Sequence, residues 1–350
     1  MSTPFTIALT ADFNAADGTP RYRDIGTDLL DAADGVSYRY LDQHHPELSA
    51  AQLADSQGVI VLTPKVTAAS LSKSQDLLAV GRFGVGYDGV DVAACTANDV
   101  CLFITAGAVD RPVAEATVMW MLALGHRLRA KDELARAGGW DARSGLMGGE
   151  LRDRTLGLVG CGGIARSVLR LLAGWGMQTP LVFDPFLKEE QAEELGVRVV
   201  DLDTLLAESD YVSIHCPLTD STRGLIGAAQ LQRMRESAYL INTARGGIVD
   251  EAALDAALRE GQIAGAALDC FESEPLQAPP RFADLDNVLM APHSIAWTNE
   301  LFRDIGRYAC QGMIDLAEGR RPHGVINPEV FERPGFQAKW QRLANKEVQA

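Results

Sequence analysis

The chain is short of the features that mark several binding and processing classes. Its six cysteines, Cys95, Cys101, Cys161, Cys216, Cys270 and Cys310, never fall in a C-x-x-C pair, and its six histidines are equally scattered, so no zinc ligand set is legible. Basic residues are few. Against 47 Asp and Glu stand 32 Lys and Arg, a net charge of -15, and an electronegative surface repels nucleic-acid backbones and anionic lipid. Long apolar runs are missing as well: the richest, Val113 to Leu124, carries Glu115 and falls short of a bilayer span, and Met1 to Asn14 has no basic stretch ahead of its apolar one. No low-complexity tract interrupts the chain. These absences predict a cytoplasmic protein with reduced thiols, no metal, and neither nucleic acid nor membrane as partner.

What is present is the balance of a globular protein, 47% hydrophobic over 350 residues, enough for about two domains of roughly 150 residues each. Short apolar runs alternate with helical patterns nearly throughout, the rhythm of parallel sheets covered on both faces. Strands are expected near Phe5 to Leu9, Ser37 to Leu41, Gly58 to Leu62, Leu78 to Arg82 and Cys101 to Ile104, one doubly wound unit. Seven more are expected at Thr155 to Gly160, Leu181 to Asp184, Val197 to Val200, Tyr211 to Cys216, Ala238 to Asn242, Ala264 to Asp269 and Val288 to Ala291. Between the two sets, Val113, Thr117, Trp120, Met121, Leu124 and Leu128 recur at helical spacing, which predicts one long connecting helix from Arg111 to about Arg136. A Gly-rich, charged loop follows, with Trp140 and Met147 as its expected anchors. A final amphipathic helix (Leu301, Ile305, Tyr308, Ala309, Met313) could return to the first unit.

The segment Gly160-Cys-Gly162-Gly163-Ile164-Ala165 reads G-x-G-x-x-A between a strand and a helix whose apolar stripe is Ile164, Val168, Leu171, Leu172 and Trp175. Gly160 permits a tight turn, Gly162 lets the main chain approach a pyrophosphate, and Ala165 lets helix and strand pack closely. Nineteen residues beyond Ala165 the next strand ends in Asp184, an acid placed to accept ribose hydroxyls and repel a 2′-phosphate, which favours NAD over NADP.

Three later strand ends finish in polar residues, and ligands of parallel sheets gather at such ends. Thr243-Ala244-Arg245-Gly246-Gly247 offers a guanidinium fork for a carboxylate. Asp269-Cys-Phe-Glu272-Ser-Glu274-Pro275 offers three acids, and Pro292-His293-Ser294 a histidine, the side chain whose ordinary pKa suits proton exchange near neutrality. Singly, these could be a surface Arg, a solvated acidic loop and a structural His. Together, beside a dinucleotide site, they suit oxidation of an alcohol next to a carboxylate.

With Gly81-Arg-Phe-Gly-Val-Gly-Tyr-Asp-Gly-Val-Asp91, Val113-Ala-Glu115, the Gly160 turn, Cys216-Pro-Leu-Thr-Asp-Ser-Thr222, Ile241-Asn-Thr-Ala-Arg-Gly-Gly247, Asp269 to Pro275 and Ala291-Pro-His293 in this order, the chain from about Gly58 to Pro328 resembles the D-isomer-specific 2-hydroxyacid dehydrogenase family, which includes phosphoglycerate dehydrogenases, glyoxylate and hydroxypyruvate reductases and D-lactate dehydrogenases. The resemblance implies that Arg245 clamps the substrate carboxylate, that His293 passes the proton, and that Glu274 rather than Glu272 pairs with His293. It implies that Asp269 holds the nicotinamide carboxamide. Gly163, Ile164 and Asp184 would meet pyrophosphate and ribose, and Cys216, Pro217, Thr222, Thr243 and Ala244 would line the cofactor groove. Backbone amides of Val85 and Gly86 would take the substrate carboxylate.

It also implies a flavodoxin-like split substrate domain (1–108 with 299–350), a Rossmann NAD-binding domain (109–298) and a homodimer formed through the cofactor domains. About fifty residues follow the cofactor unit, so the C-terminal regulatory domain of some members is expected to be absent. Two departures bear on the substrate. Trp297 stands where many members have small residues, and it could narrow the pocket or seal the hinge. Val109 and Pro112 replace the usual Asn and Ser, leaving Arg111 either to contact a second polar group on the substrate or to pair at the surface with Asp110. A different class of function, an NADH-responsive corepressor-like binding protein, shares the architecture.

Overall fold

The computed structural model describes residues 4–72, 74–345 and 348. By the density of its internal contacts the chain divides into two compact units, one running up to Val109 and resuming at Trp297, the other Asp110–Ala296.

The first unit opens with β1 (Phe5–Leu9), α1 (Asp28–Ala32), β2 (Val36–Tyr40), α2 (Ala50–Leu53), β3 (Gly58–Val61), α3 (Ala68–Leu71), β4 (Ala79–Arg82), α4 (Val92–Ala97) and β5 (Cys101–Ile104). All five strands are parallel in the order β2-β1-β3-β4-β5, the flavodoxin-like winding. The helices are short but capped from sequence: Ser49 accepts from Gln52 N, Thr67 from Ser70 N and Asp91 from Ala94 N, each satisfying an orphan donor of the first turn.

In the second unit come α5 (Asp110–Gly125), α6 (Leu128–Arg136), β6 (Leu156–Val159), α7 (Gly163–Leu172), β7 (Leu181–Phe183), α8 (Glu189–Leu195), β8 (Arg198–Val199), α9 (Leu202–Glu208), β9 (Tyr211–Ile214), α10 (Ala228–Leu231), β10 (Tyr239–Asn242), α11 (Glu251–Arg259), β11 (Gly265–Leu268) and β12 (Val288–Met290). Its seven strands are also parallel, in the order β12-β11-β10-β9-β6-β7-β8. Alternate residues of each strand feed two apolar layers. Val159, Val212, Leu240 and Ala266 pack on one face, and Leu158, Tyr211, Ile241 and Ala267 on the other. The chain leaves β6 towards β7 and returns to β9 on the opposite side, so the crevice beyond the carboxyl ends of β6 and β9 is the topological switch point.

The connecting helix differs from the sequence reading. It is two helices, because Arg127 adopts a left-handed backbone (φ 54°) and Gly149 N captures the carbonyl of Gly125, ending α5. The buried stripe stops at Leu124, and α6 buries no residue. Trp140 and Met147 do not anchor the following loop: they are 71% and 77% exposed, and Leu151 is the buried residue there. Trp175 is likewise outside the stripe of α7, which ends at Leu172. Gly174 and Gly176, both at positive φ, turn the chain around it. Tyr308, expected in the final stripe, is also exposed.

From Trp297 the chain rejoins the first unit through α12 (Asn299–Ala317) and α13 (Pro334–Leu343). Trp297 itself sits half-exposed, edge-on to Tyr22 and Phe302, which stack on each other at 4.0 Å. The returning segment is tied in by Asn327, which is buried: its Oδ1 accepts from Leu102 N at 2.8 Å while its Nδ2 donates to Val100 O and to Thr96 Oγ1. Asn327→Leu orphans the Leu102 amide and the Val100 carbonyl, so we expect a loss of about 2–4 kcal/mol in urea unfolding followed by circular dichroism.

Candidate functional site

The Gly-rich turn lies at the switch point. Gly160 has φ 95°, and a Cβ there would come within 2.8 Å of Cys216 N, so both the backbone angle and the space require glycine. Gly162 is the N-cap of α7, and a Cβ there would meet nothing within 4 Å. Gly163 and Ile164 open the helix, and Ala165 is fully buried against the sheet. Asp184 ends β7 and binds back to the turn: its Oδ2 accepts from Cys161 N at 2.7 Å and its Oδ1 from Phe186 N at 2.8 Å.

Around the same edge, Cys216 and Pro217 follow β9. Thr222 donates to Pro217 O at 2.6 Å and accepts from Thr219 N, closing that loop on itself. Burial pushes the Cys216 thiol up to about 11, which makes it a small apolar lining group rather than a nucleophile. Thr243, after β10, lies 3.4 Å from Thr117 of α5, hydroxyl to hydroxyl. His215, before Cys216, pairs with Ser213 Oγ at 2.9 Å, and burial lowers its pKa to about 4, so it stays neutral.

The loop after β10 is held by Asn242, whose side chain accepts from Ala244 N and donates to Arg245 O, while Arg245 Nη1 donates to Ala244 O at 2.7 Å. At Gly246 a Cβ would fall 1.8 Å from Phe271 O, so the loops after β10 and β11 touch main chain to main chain. That approach brings Arg245 towards the acids.

The three acids take three different tasks. Glu272 accepts from Glu251 N at 3.0 Å and is tied to α11. Glu274 accepts from Phe271 N through Oε1, and its Oε2 lies 2.8 Å from His293 Nδ1. Burial pushes the Glu274 carboxyl up, but the hydrogen bonds from His293 and Phe271, with the charge of Arg245 adding, leave it below the usual value. An ionised carboxylate only accepts, so Nδ1 of His293 is the donor and Nε2 is left free to take or give a proton. Asp269, 6% exposed, accepts from both Ser294 N (2.8 Å) and Ile295 N (3.0 Å) through Oδ1, and burial, the largest influence on it, raises its pKa. In this structure it therefore holds the backbone that follows His293. His293 itself has a left-handed backbone, φ 54°, a conformation that persists where its surroundings over-determine it.

The chain positions of these groups explain their meeting. Asp269 and Glu274 follow β11, Arg245 follows β10 and His293 follows β12, three adjacent strands ending on one edge. Arg111 pairs with Glu115 one turn along α5, both side chains well exposed, rather than with Asp110. Val85 and Gly86 belong to the first unit, in the turn after β4, where buried Thr105 accepts from Gly84 N and donates its own amide to Gly84 O. Two features escaped the sequence reading. The left-handed His293 has no local sequence mark, and Asp110, which packs on Gly163, is too far from it in the chain for spacing to show the contact.

A family model described as "D-isomer specific 2-hydroxyacid dehydrogenase, NAD binding domain" matches residues 118–294. Glyoxylate reductase of Korarchaeum cryptofilum is 37% identical over 284 residues, covering 80% of this chain and 85% of that protein. D-3-phosphoglycerate dehydrogenase of Archaeoglobus fulgidus is 36% identical over 273 residues, 78% of this chain, which spans only about half (51%) of that relative. Among solved structures, the NAD-complexed D-isomer specific 2-hydroxyacid dehydrogenase from Lactobacillus delbrueckii ssp. bulgaricus superposes with a TM-score of 0.73 at 26% identity, over 92% of this chain and all of that one.

The open space at Gly162 yields a test of the turn. Gly162→Ala should leave the melting temperature within about 1 °C of the parent, yet weaken NADH binding tenfold or more in a fluorescence titration, because a methyl group there obstructs only an approaching pyrophosphate.

Proposed function

The chain belongs to the D-isomer specific 2-hydroxyacid dehydrogenase family, NAD-dependent oxidoreductases, and from that premise we propose that it interconverts a D-2-hydroxy acid and its 2-keto acid, with His293 as acid and base and Arg245 as the carboxylate binder. The observation that carries the assignment of roles is the 2.8 Å contact between His293 Nδ1 and Glu274 Oε2 beside Arg245.

The Gly160–Ile164 turn and Asp184, with Cys216, Pro217, Thr222, Thr243 and Ala244 along the groove, would hold NAD, which would supply the acceptor or donor of hydride. This chain's residues do the rest. The Arg245 fork binds the substrate carboxylate and polarises the neighbouring carbonyl. In reduction, Nε2 of His293 gives its proton to the keto oxygen as the hydride arrives. In oxidation it takes the proton from the hydroxyl, and the ionised Glu274 balances the imidazolium through Nδ1–H. Asp269 keeps the ring aimed by fixing the two amides behind it. A small 2-keto acid such as glyoxylate or hydroxypyruvate is the substrate we favour, on the strength of the glyoxylate reductases among its relatives.

His293→Gln should lower kcat with glyoxylate by roughly 10² to 10⁴ while NADH affinity stays within about twofold. Unimpaired turnover of that variant would remove His293 from the mechanism.

A homodimer is the assembly we infer. Leu128, Trp140 and Met147 are exposed on and after α6, beside a groove of about 520 Å³ whose lining mixes Leu124, Leu146 and Met147 with Arg127, Arg129 and Asp286. Large exposed apolar side chains edged by charged ones suit an association face, and a two-fold axis lets each copy offer the same surface. Trp140→Glu with Met147→Glu should convert a dimer to a folded monomer in size-exclusion chromatography with light scattering. An unchanged mass would place the interface elsewhere.

A further inference from the structure

Asp110, the first residue of α5, turns its carboxylate onto the first residue of α7: a Cβ built on Gly163 would lie 2.0 Å from Asp110 Oδ2 and 2.7 Å from Oδ1. The N-terminus of a helix carries partial positive charge and attracts a carboxylate. The same polarity receives a dinucleotide's pyrophosphate at a glycine-rich turn. One electropositive seat thus faces two anions, the chain's own carboxylate and the cofactor's phosphates. Arg170, on α7, is the cation that acts on Asp110, and burial works against its ionisation.

We propose that Asp110, its carboxylate set against the first residue of the dinucleotide helix, holds NADH affinity below what the turn alone would give through like-charge repulsion with the pyrophosphate. The inference rests on the reading that the Gly160–Ile164 turn seats the pyrophosphate. Like-charge repulsion between a carboxylate and a neighbouring phosphate in a well-solvated site is worth roughly three- to tenfold in affinity. A binding site tempered in this way releases its oxidised or reduced cofactor faster, which suits an enzyme that exchanges NAD at every turnover.

The test uses Asp110→Asn, which keeps the shape and removes the charge, and Asp110→Ala. NADH dissociation constants are measured by fluorescence titration at low salt and at about 0.5 M salt, and melting temperatures without NADH. In both variants the dissociation constant should fall by roughly three- to tenfold at low salt, and the gap to the parent should narrow at high salt. At the same time the melting temperature of Asp110→Asn should hold or rise slightly, because burial disfavours the ionised carboxyl in the folded protein and its removal relieves that cost. Tighter binding from a protein no less stable is the signature, since a residue with a purely structural role would lose both together. Unchanged or weaker NADH binding by Asp110→Asn overturns the proposal. A parent protein that fails to bind NADH at all would overturn the reading of the turn instead.

Discussion

A buried carboxylate accepting two consecutive backbone amides organises this protein's chemistry. Asp269 holds Ser294 N and Ile295 N, and by doing so fixes the chain where it leaves β12 and carries His293 in a left-handed conformation. Without that clamp the strained residue has local alternatives, and its ring has no fixed direction. With it, the ring meets Glu274 from the neighbouring strand end, and one nitrogen is committed so that the other is free. Glu274 is itself held by the Phe271 amide, so the acid that orients the ring is fixed by main chain.

The same economy runs through the dinucleotide turn. Asp184 reaches from β7 to Cys161 N, and Gly160 presses against Cys216 N, so three neighbouring strand ends are laced together at the switch point. Rigidity there matters because hydride transfer depends on distance and alignment, and a loosely held turn would lose both. Asp110 at the start of α5 lies against Gly163 at the same turn.

Much of this was legible beforehand for identifiable reasons. Parallel strands buried on both faces are continuous apolar runs, so the twelve strands were readable to within a residue or two at each end, and the Gly160 motif was anchored by the strand before it and the acid after β7. Amphipathic spacing was a poorer guide where an apolar residue is not buried. Leu128, Trp140, Met147, Trp175 and Tyr308 all fit a stripe or an anchor in sequence, yet each is exposed, because Arg127 breaks the connecting helix, Gly174 and Gly176 turn the chain after α7, and a large apolar side chain carries no mark of whether it faces its own core or an outer surface.

Local order along the chain therefore determined the two parallel sheets, the dinucleotide turn and the identity of the groups at the strand ends, since strand propensity, glycine geometry and residue chemistry are properties of short segments. Tertiary structure alone decided that Glu272 faces α11 while Glu274 faces His293, that Asp269 braces the histidine's backbone, that Arg111 turns to Glu115, and that Asp110 lies on Gly163. Each of these depends on contacts between loops and helices, where an ångström or a dihedral angle settles which carboxylate meets which donor.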